Sequence, residues 1–378
     1  MKITKVTGHF LSEFPITPPP FREEPNTGTL LLVSIETDEG ITGWGAAKYA
    51  HPSIIHLINE YMEGELLGMD PFCREAIHHK ICDPRPDSKF GPRHMGRTLT
   101  GALSGIDIAL WDIYGQAVQL PLHILLGGTT DKIPVYLTHG AAYNNATTYG
   151  PDELGAEAKQ LADQGNTLLK NTVGRQIKDG KIAPDPVDDY YRMKAMREAV
   201  GPDVKLAMDG NARMTVPQAQ KLANLCEDLN IEFFEEPVVG NNPRHLSLLR
   251  QKTSIAIAAA ENHLYSAADL VNHDAVDILQ PNVVNDGGYT GALENAFLAR
   301  ANLISIGHGN GGGPHNIALQ AGLNNGTSVE YHYHVWQEYN AVFENVPQPI
   351  NGYVTAPNTP GTGLTPKPNI VEEYSKPA

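Results

Sequence analysis

VKLAMDGNARMTVPQAQKLANLCEDLNIEFFEEPVVGNNPRHLSLLRQKTSIAIAAAEN, residues 204–262, holds three short apolar runs separated by helical windows, and each run stops at an acid. The runs end at Asp209, with Asn211 two residues on, at Glu235-Glu236-Pro237, and at Glu261-Asn262. Apolar runs this short are strands, and the stretches between them, such as VPQAQKLANLCEDLN, carry the helical period. Thr215 is placed to cap that helix, and Ser266 the following one, SAADLVNHD. The same unit recurs on both sides, with runs VYLTHG from 135, TLLKNT from 167, VDILQPN from 276, LISIGHG from 303 and SVEYH from 328. Eight strands of one kind, alternating regularly with helices, favour closure into a (β/α)8-like barrel over a doubly wound open sheet.

Upstream the pattern differs. TLLLVSIETDEGITGWGA, from Thr29, reads as an antiparallel hairpin about Asp38-Glu39-Gly40. LTGALSGIDIALWDIYGQAV then spaces Ala102, Ile106, Ile108, Ala109, Trp111 and Ile113 as a helix does. Strands followed by helices make a separate α+β unit. The expected division is a capping domain over 1–125, a barrel over 126–344, and a Pro/Gly-rich strap over 345–378 that packs back on the cap.

Barrel active sites lie at the C-terminal ends of the strands, where the acids stand. Asp209, Glu235 and Glu261 are spaced 26 residues apart in both steps, which places them at equivalent points of successive units. Singly, each would read as a helix cap or a solvated loop residue. Converging, they repel one another unless a hard divalent cation sits among them, and an all-oxygen set with room for water suits Mg²⁺.

Composition narrows the partners. With 28 Lys and Arg against 43 Asp and Glu, the formal charge is −15, which excludes the basic surface that nucleic acids need. No stretch approaches the ~20 apolar residues of a membrane span. The N-terminus, MKITKVTGHFLSEF, has no continuous apolar core of a secretory signal, so a cytoplasmic location is expected. Cys73, Cys82 and Cys226 form no CxxC pair and read as reduced thiols.

Asp209, Glu235 and Glu261 resemble the metal triad of the enolase superfamily, and the text around them resembles its mandelate racemase branch. TDEGITGWGA, ALSGIDIALWDIYGQAVQLPLHILLGG, FFEEP and GGYTGALENA carry the likeness across most of the chain. The resemblance implies an α+β capping domain over a modified (β/α)7β barrel of the TIM type. It also implies Mg²⁺, abstraction of a proton α to a carboxylate with a stabilised enediolate, a small-molecule carboxylate substrate, and a homo-oligomer.

The bases depart from that family's pattern. Its second run usually ends in Lys-x-Lys, whereas here it reads Lys170-Asn171-Thr172, so a threonine stands where the second lysine would. Strand alternation turns Lys170 and Thr172 inward together, and Lys170 is expected to contact the substrate carboxylate or a metal ligand. His308, ending run seven, becomes the candidate base, since imidazole accepts and returns protons near neutrality. His315 is read as structural or as an anion contact. The family's aspartate at the end of run six is Asn282 here, which is expected to orient the His308 ring by a hydrogen bond without adding charge. Glu330, on run eight, resembles the glutamic acid that hydrogen-bonds the substrate carboxylate, and if protonated it would share enediolate charge.

One base suits dehydration, because the group that removes the α-proton can protonate the departing β-hydroxyl. By resemblance the substrate is a sugar acid, an aldonate or aldarate, giving a 2-keto-3-deoxy product. Cycloisomerisation of a sugar-acid lactone or anhydro sugar acid also needs one base and stays open, as do epimerisation and an acid-binding descendant without turnover. Lys48, Tyr49, His51, Arg93, His139 and Asn211 are the expected substrate contacts, mostly in cap loops closing over the mouth. Arg85, Lys89 and Arg93 hint at a second carboxylate.

Overall fold

The computed structural model describes residues 1–18, 26–47, 51–82, 97–128, 132–140, 149–179, 181–260, 265–309 and 311–375. Three strands, β1 (Ile3–Ile16), β2 (Asn26–Thr37) and β3 (Thr42–Ala47), form an antiparallel meander. Gly40 turns the β2–β3 hairpin at φ 79°, and Thr37 Oγ1 donates to the Ile41 carbonyl across it. The meander lies on the 22-residue helix α1 (Arg97–Val118). Their backbones nearly touch: a Cβ on Gly45 would stand 2.0 Å from the Gly105 carbonyl oxygen, and one on Gly43 2.2 Å from that of Ala109.

That contact sets a test. Gly45→Ala must push sheet and helix apart, and overpacking of this kind costs about 1–3 kcal/mol, sometimes more. Gly64, in a short helix with nothing within 4 Å of its Cβ position, is the control. Alanine there is expected to stabilise by about 0.5–1 kcal/mol. Urea denaturation of the two variants beside wild type reads both, and a Gly45→Ala protein as stable as wild type would contradict the contact.

Residues 101–110 of α1 are buried throughout, so the helix is enclosed on all sides rather than along one stripe. Ala102, Leu103, Ile106, Ala109, Leu110 and Ile113 pack into the core beneath the meander, and Ile108 into the barrel's. The side toward the barrel is polar and specific. Ser104 Oγ accepts from the Gly287 and Gly288 amides at 2.9 and 3.2 Å. Asp107 accepts from the Thr290 hydroxyl at 2.6 Å and its amide at 3.0 Å.

The eight apolar runs of the sequence are eight strands of one parallel sheet: β4 (Lys132–His139), β5 (Leu168–Thr172), β6 (Lys205–Asp209), β7 (Ile231–Glu235), β8 (Ala256–Ala259), β9 (Ile278–Leu279), β10 (Ser305–Ile306) and β11 (Val329–His332). Pairing runs from β10 back through β4 to β11. The two ends of the curled sheet meet: Thr327 N–H donates to the Ile306 carbonyl at 3.0 Å and His308 N–H to the Ser328 carbonyl at 3.1 Å. Helices follow the first seven strands: α2 (Pro151–Asp163), α3 (Pro186–Val200), α4 (Val216–Leu225), α5 (Pro243–Arg250), α6 (Ala267–Asn272), α7 (Gly288–Ala301) and α8 (Asn316–Gly322). The result is a (β/α)7β barrel with an N-terminal antiparallel cap. Ser266 caps α6, its hydroxyl accepting from the Asp269 amide at 3.1 Å, and Thr215 N–H is held by Gln218 at 2.9 Å ahead of α4.

The C-terminal stretch runs over both parts. β12 (Tyr353–Thr355) pairs antiparallel with β4. Thr362 donates from both its amide and its hydroxyl to Asp112 on α1, and Ser375 bridges to Leu11 on β1. No described helix is long and apolar enough to cross a membrane.

Candidate active site

On β5, period-two alternation turns Lys170 and Thr172 into the barrel and Leu169 and Asn171 out toward α3, where Asn171 meets Met193 and Arg192. Lys170 is almost wholly buried, and a buried ammonium must be paired. Its Nζ lies 2.7 Å from Glu235, 3.0 Å from Glu330 and 3.5 Å from Asp209. The face of Tyr136 covers it at 5.2 Å. One lysine thus gathers carboxylates from β6, β7 and β11.

The charges do not balance. Burial pushes the Glu235 carboxyl up to about 8 despite Lys170, with Asp209 and Glu330 adding repulsion. Burial alone would raise Glu330 too, but Lys170, His332 and His308 outweigh it and hold that carboxyl low. Lys170 itself stays charged well above its ordinary value, burial notwithstanding, because the carboxylates surround it. A centre of three buried carboxylates and one ammonium lacks positive charge, and the donors are hard oxygens, so the residues fit a divalent cation such as Mg²⁺. Asp209 and Glu235 would hold it. Glu261, the third expected ligand, lies outside the described residues, as do Lys48, Tyr49 and Arg93.

Asp209 pairs with Glu235 in register, and Glu235 with Ala258 on the next strand. Backbone strain collects at these strand ends: Asn211 (φ 42°), Ala212 (φ 54°), Glu236 (φ 40°) and Ala260 (φ 144°) all lie in the left-handed half of the map. Such strain concentrates at functional sites.

His308 is fully buried beside Glu330. Both ring nitrogens face backbone amides: Gly312 N–H at 3.1 Å from Nε2 and Glu330 N–H at 3.1 Å from Nδ1. A neutral imidazole can accept at only one of them. The ring therefore has to shift away from one amide before it can take a proton from a substrate. The glycine-rich turn after His308 also covers Glu330, which accepts from Gly311 N–H at 2.5 Å and from the Thr138 hydroxyl.

Two expectations are corrected. Asn282 does not orient the His308 ring; its Nδ2 donates to the Gly309 carbonyl at 2.9 Å and its Oδ1 accepts from Val284 N–H and Asn316 Nδ2. It shapes the glycine turn instead, so tightly that a Cβ on Gly312 would stand 2.2 Å from its Oδ1. His139 points out of the barrel to Glu157 on α2 at 3.2 Å, because Tyr136 and Thr138 occupy the inward phase of β4. Glu330 accepts hydrogen bonds from Lys170, Thr138 and Gly311, the pattern of an ionised carboxylate. His51, another expected contact, is exposed and caps the helix Pro52–His56. Asn211 does stand at the mouth, its amide on Asp209 at 2.8 Å and its Oδ1 on Arg213 at 2.6 Å.

His315 is buried against Tyr339 and Phe343, and burial drops it to about 3, so it stays neutral and structural. His332 was missed. It follows Glu330 by two residues, on the same face of β11, and its ring lies 3.1 Å from a Cβ position on Gly311. Strand alternation counted from Glu330 would have found it. A cavity of about 430 Å³, lined by Tyr136, Lys205, Phe233 and Ser305, opens at the strand starts, the end opposite the carboxylate cluster.

Fold and site define a capped α/β-barrel enzyme with its acidic centre at the strand C-termini. Residues 153–370 match the family described as enolase C-terminal domain-like, and residues 22–127 match the mandelate racemase / muconate lactonizing enzyme N-terminal domain. The chain belongs to the enolase superfamily, in its mandelate racemase / muconate lactonizing enzyme branch. It is 30% identical to D-galactarolactone cycloisomerase of Agrobacterium fabrum over 100% of each chain. It is 28% identical to arabinonate dehydratase of Saccharolobus solfataricus over 91% of this chain and 90% of that one. The crystal structure of a racemase from Streptomyces coelicolor A3(2) with bound magnesium matches it with TM-score 0.83 and 25% identity, over 99% of this chain and 100% of that one.

Proposed function

We propose that the protein is a Mg²⁺-dependent dehydratase of a sugar acid, an aldonate or aldarate. The observation that carries this is the pairing of one candidate base with one carboxylate-binding cation: His308 touches Glu330, and Glu330 touches Lys170, while Thr172 fills the inward position where a second base would stand. A bound divalent cation supplies Lewis-acid stabilisation of the negative charge that grows on the substrate carboxylate. Lys170 binds that carboxylate by charge, and Glu330 and Tyr136 keep its Nζ aimed into the barrel. His308 takes the α-proton and delivers it to the β-hydroxyl, the C–O bond breaks, water leaves, and the enol formed tautomerises to the 2-keto-3-deoxy acid. Arabinonate dehydratase, at 28% identity, supports this reading. The 30% identity to D-galactarolactone cycloisomerase favours a second one, β-elimination that opens or closes a sugar-acid ring with the same single base.

A panel of aldonic acids, aldaric acids and their lactones, incubated with Mg²⁺ in D₂O, separates the two. A 2-keto-3-deoxy product from an open-chain acid is the expected result. Ring opening without loss of water replaces dehydratase by cycloisomerase, and deuterium entering recovered substrate with no other product replaces both by epimerase chemistry.

Metal linkage gives an independent check. Mg²⁺ is expected to raise Tm and EDTA to reverse it, since a ligand at 100 times its Kd stabilises by about 2.7 kcal/mol. Asp209→Asn should remove most of that rise. A Tm indifferent to Mg²⁺ would oppose a metal site at Asp209 and Glu235.

A further inference from the structure

Two arginines stand on adjoining loops at the barrel mouth with no role in the chemistry above. Arg175 follows β5 by three residues and Arg213 follows β6 by four, both at the C-terminal strand ends and both half-buried. The two loops are joined. Val173 N–H donates to the Asp209 carbonyl at 2.8 Å, and Gly174 lies against Met214, whose Cε would be 2.9 Å from a Cβ there. That contact joins the loops carrying Arg175 and Arg213, and burial first, then the charge of Arg175, lowers the Arg213 guanidinium, with Asp209 and Glu236 opposing.

Arg213 is tied to the metal-ligand position. Its Nη1 donates to Asn211 Oδ1 at 2.6 Å, and the Asn211 amide donates to Asp209 Oδ1 at 2.8 Å. The acids near Arg175 are engaged elsewhere: Asp189 with Arg192, Gln176 and the Gly174 amide, Asp188 with Gln176, and Asp185 with the start of its own helix. Among the described residues no carboxylate lies within ion-pair distance of Arg175. Two adjacent, half-desolvated guanidinium groups beside a substrate site are an arrangement that an incoming anion stabilises, and their planar forks match a carboxylate.

We propose that Arg175 and Arg213 form a subsite for a second anionic group at the far end of the substrate, which makes the substrate class a dicarboxylate: an aldarate or the lactone of one. This rests on the sugar-acid reading above. One carboxylate is held at Lys170 over the metal ligands, and the other meets the arginine pair across the mouth.

The test compares acids of one configuration that differ only at the far end: the aldarate, the aldonate and the 6-phosphoaldonate. Binding to the Mg²⁺-loaded protein is measured by calorimetry and kcat/KM by product formation, for wild type, Arg175→Gln, Arg175→Lys and Arg213→Gln. Wild type is expected to favour the aldarate over the aldonate by at least tenfold in both measurements. Arg175→Gln and Arg213→Gln should each reduce that ratio tenfold or more, mainly through KM, with Arg175→Lys keeping part of it. A ratio that survives both glutamine variants, or a wild type that prefers the aldonate or the 6-phosphoaldonate, overturns the proposal. Should no acid turn over, the sugar-acid reading fails as catalysis, and the calorimetric ratio alone still decides whether the arginine pair selects a dicarboxylate.

Discussion

His308→Asn is expected to lower kcat on the authentic substrate by ~10³-fold or more, because positioned general acid–base groups contribute ~10²–10⁴-fold and this one serves both halves of the reaction. Asparagine is chosen because its side chain retains an acceptor for the Gly312 amide or a partner for the Glu330 amide, so the glycine turn keeps a polar contact while the titrating ring is gone. The loss should appear equally in product formation and in exchange of the α-proton with D₂O, since both need proton removal. KM should change little, as substrate affinity lies with Lys170 and the metal ligands. A variant that still exchanges the α-proton at the wild-type rate would move the base elsewhere. His332, next to Glu330 on β11, would be the first residue to test.

The second large effect belongs to Lys170. Lys170→Met leaves Asp209, Glu235 and Glu330 buried together without a cation. Removing one partner of a buried ion pair costs about 3–5 kcal/mol, because the opposite charge stays behind unpaired. The protein should therefore unfold at markedly lower urea in EDTA than wild type. Mg²⁺ should recover more stability in the variant than in wild type, since the metal then supplies the missing charge alone. Catalysis should not recover with it, because the substrate carboxylate has lost its ammonium partner. Equal stability of the two proteins in EDTA would mean that the three carboxylates are protonated or solvated without Lys170, against the burial seen here.

Both expectations concern groups that are inexpensive to place in an assembled barrel and ruinous in a wrong one. Lys170 is stable inside only because three different strands deliver acids to the same point, and His308 is held only because β11 brings the Glu330 amide beside it. The same assembly fixes the cap: Ser104 and Asp107 on α1 satisfy amides at the start of α7, so cap and barrel meet through directed hydrogen bonds.

Much of this was written in the chain itself. Eight apolar runs of strand length, spaced by helical windows, determine a parallel barrel, because hydrophobic period is a local property. Acids at the ends of β6 and β7, Lys170 on an inward phase and His308 past β10 follow from the same period with no knowledge of contacts. What depended on pairing across strands did not. His139 was assigned inward from its position at a strand end, and only the phase set by Thr138 against Glu330 turns it out to Glu157. Asn282 was assigned to the His308 ring, and the fold of the glycine turn gives it the Gly309 carbonyl instead. Arg175 and Arg213 lie 38 residues apart in sequence, and their loops meet only where Gly174 packs on Met214. Sequence alone determined which elements form and which residues end them, since that is decided by local burial and alternation. Tertiary structure decided which of those residues share a proton, a charge or a substrate, since electrostatics acts through space and distance between strands is not encoded in spacing along the chain.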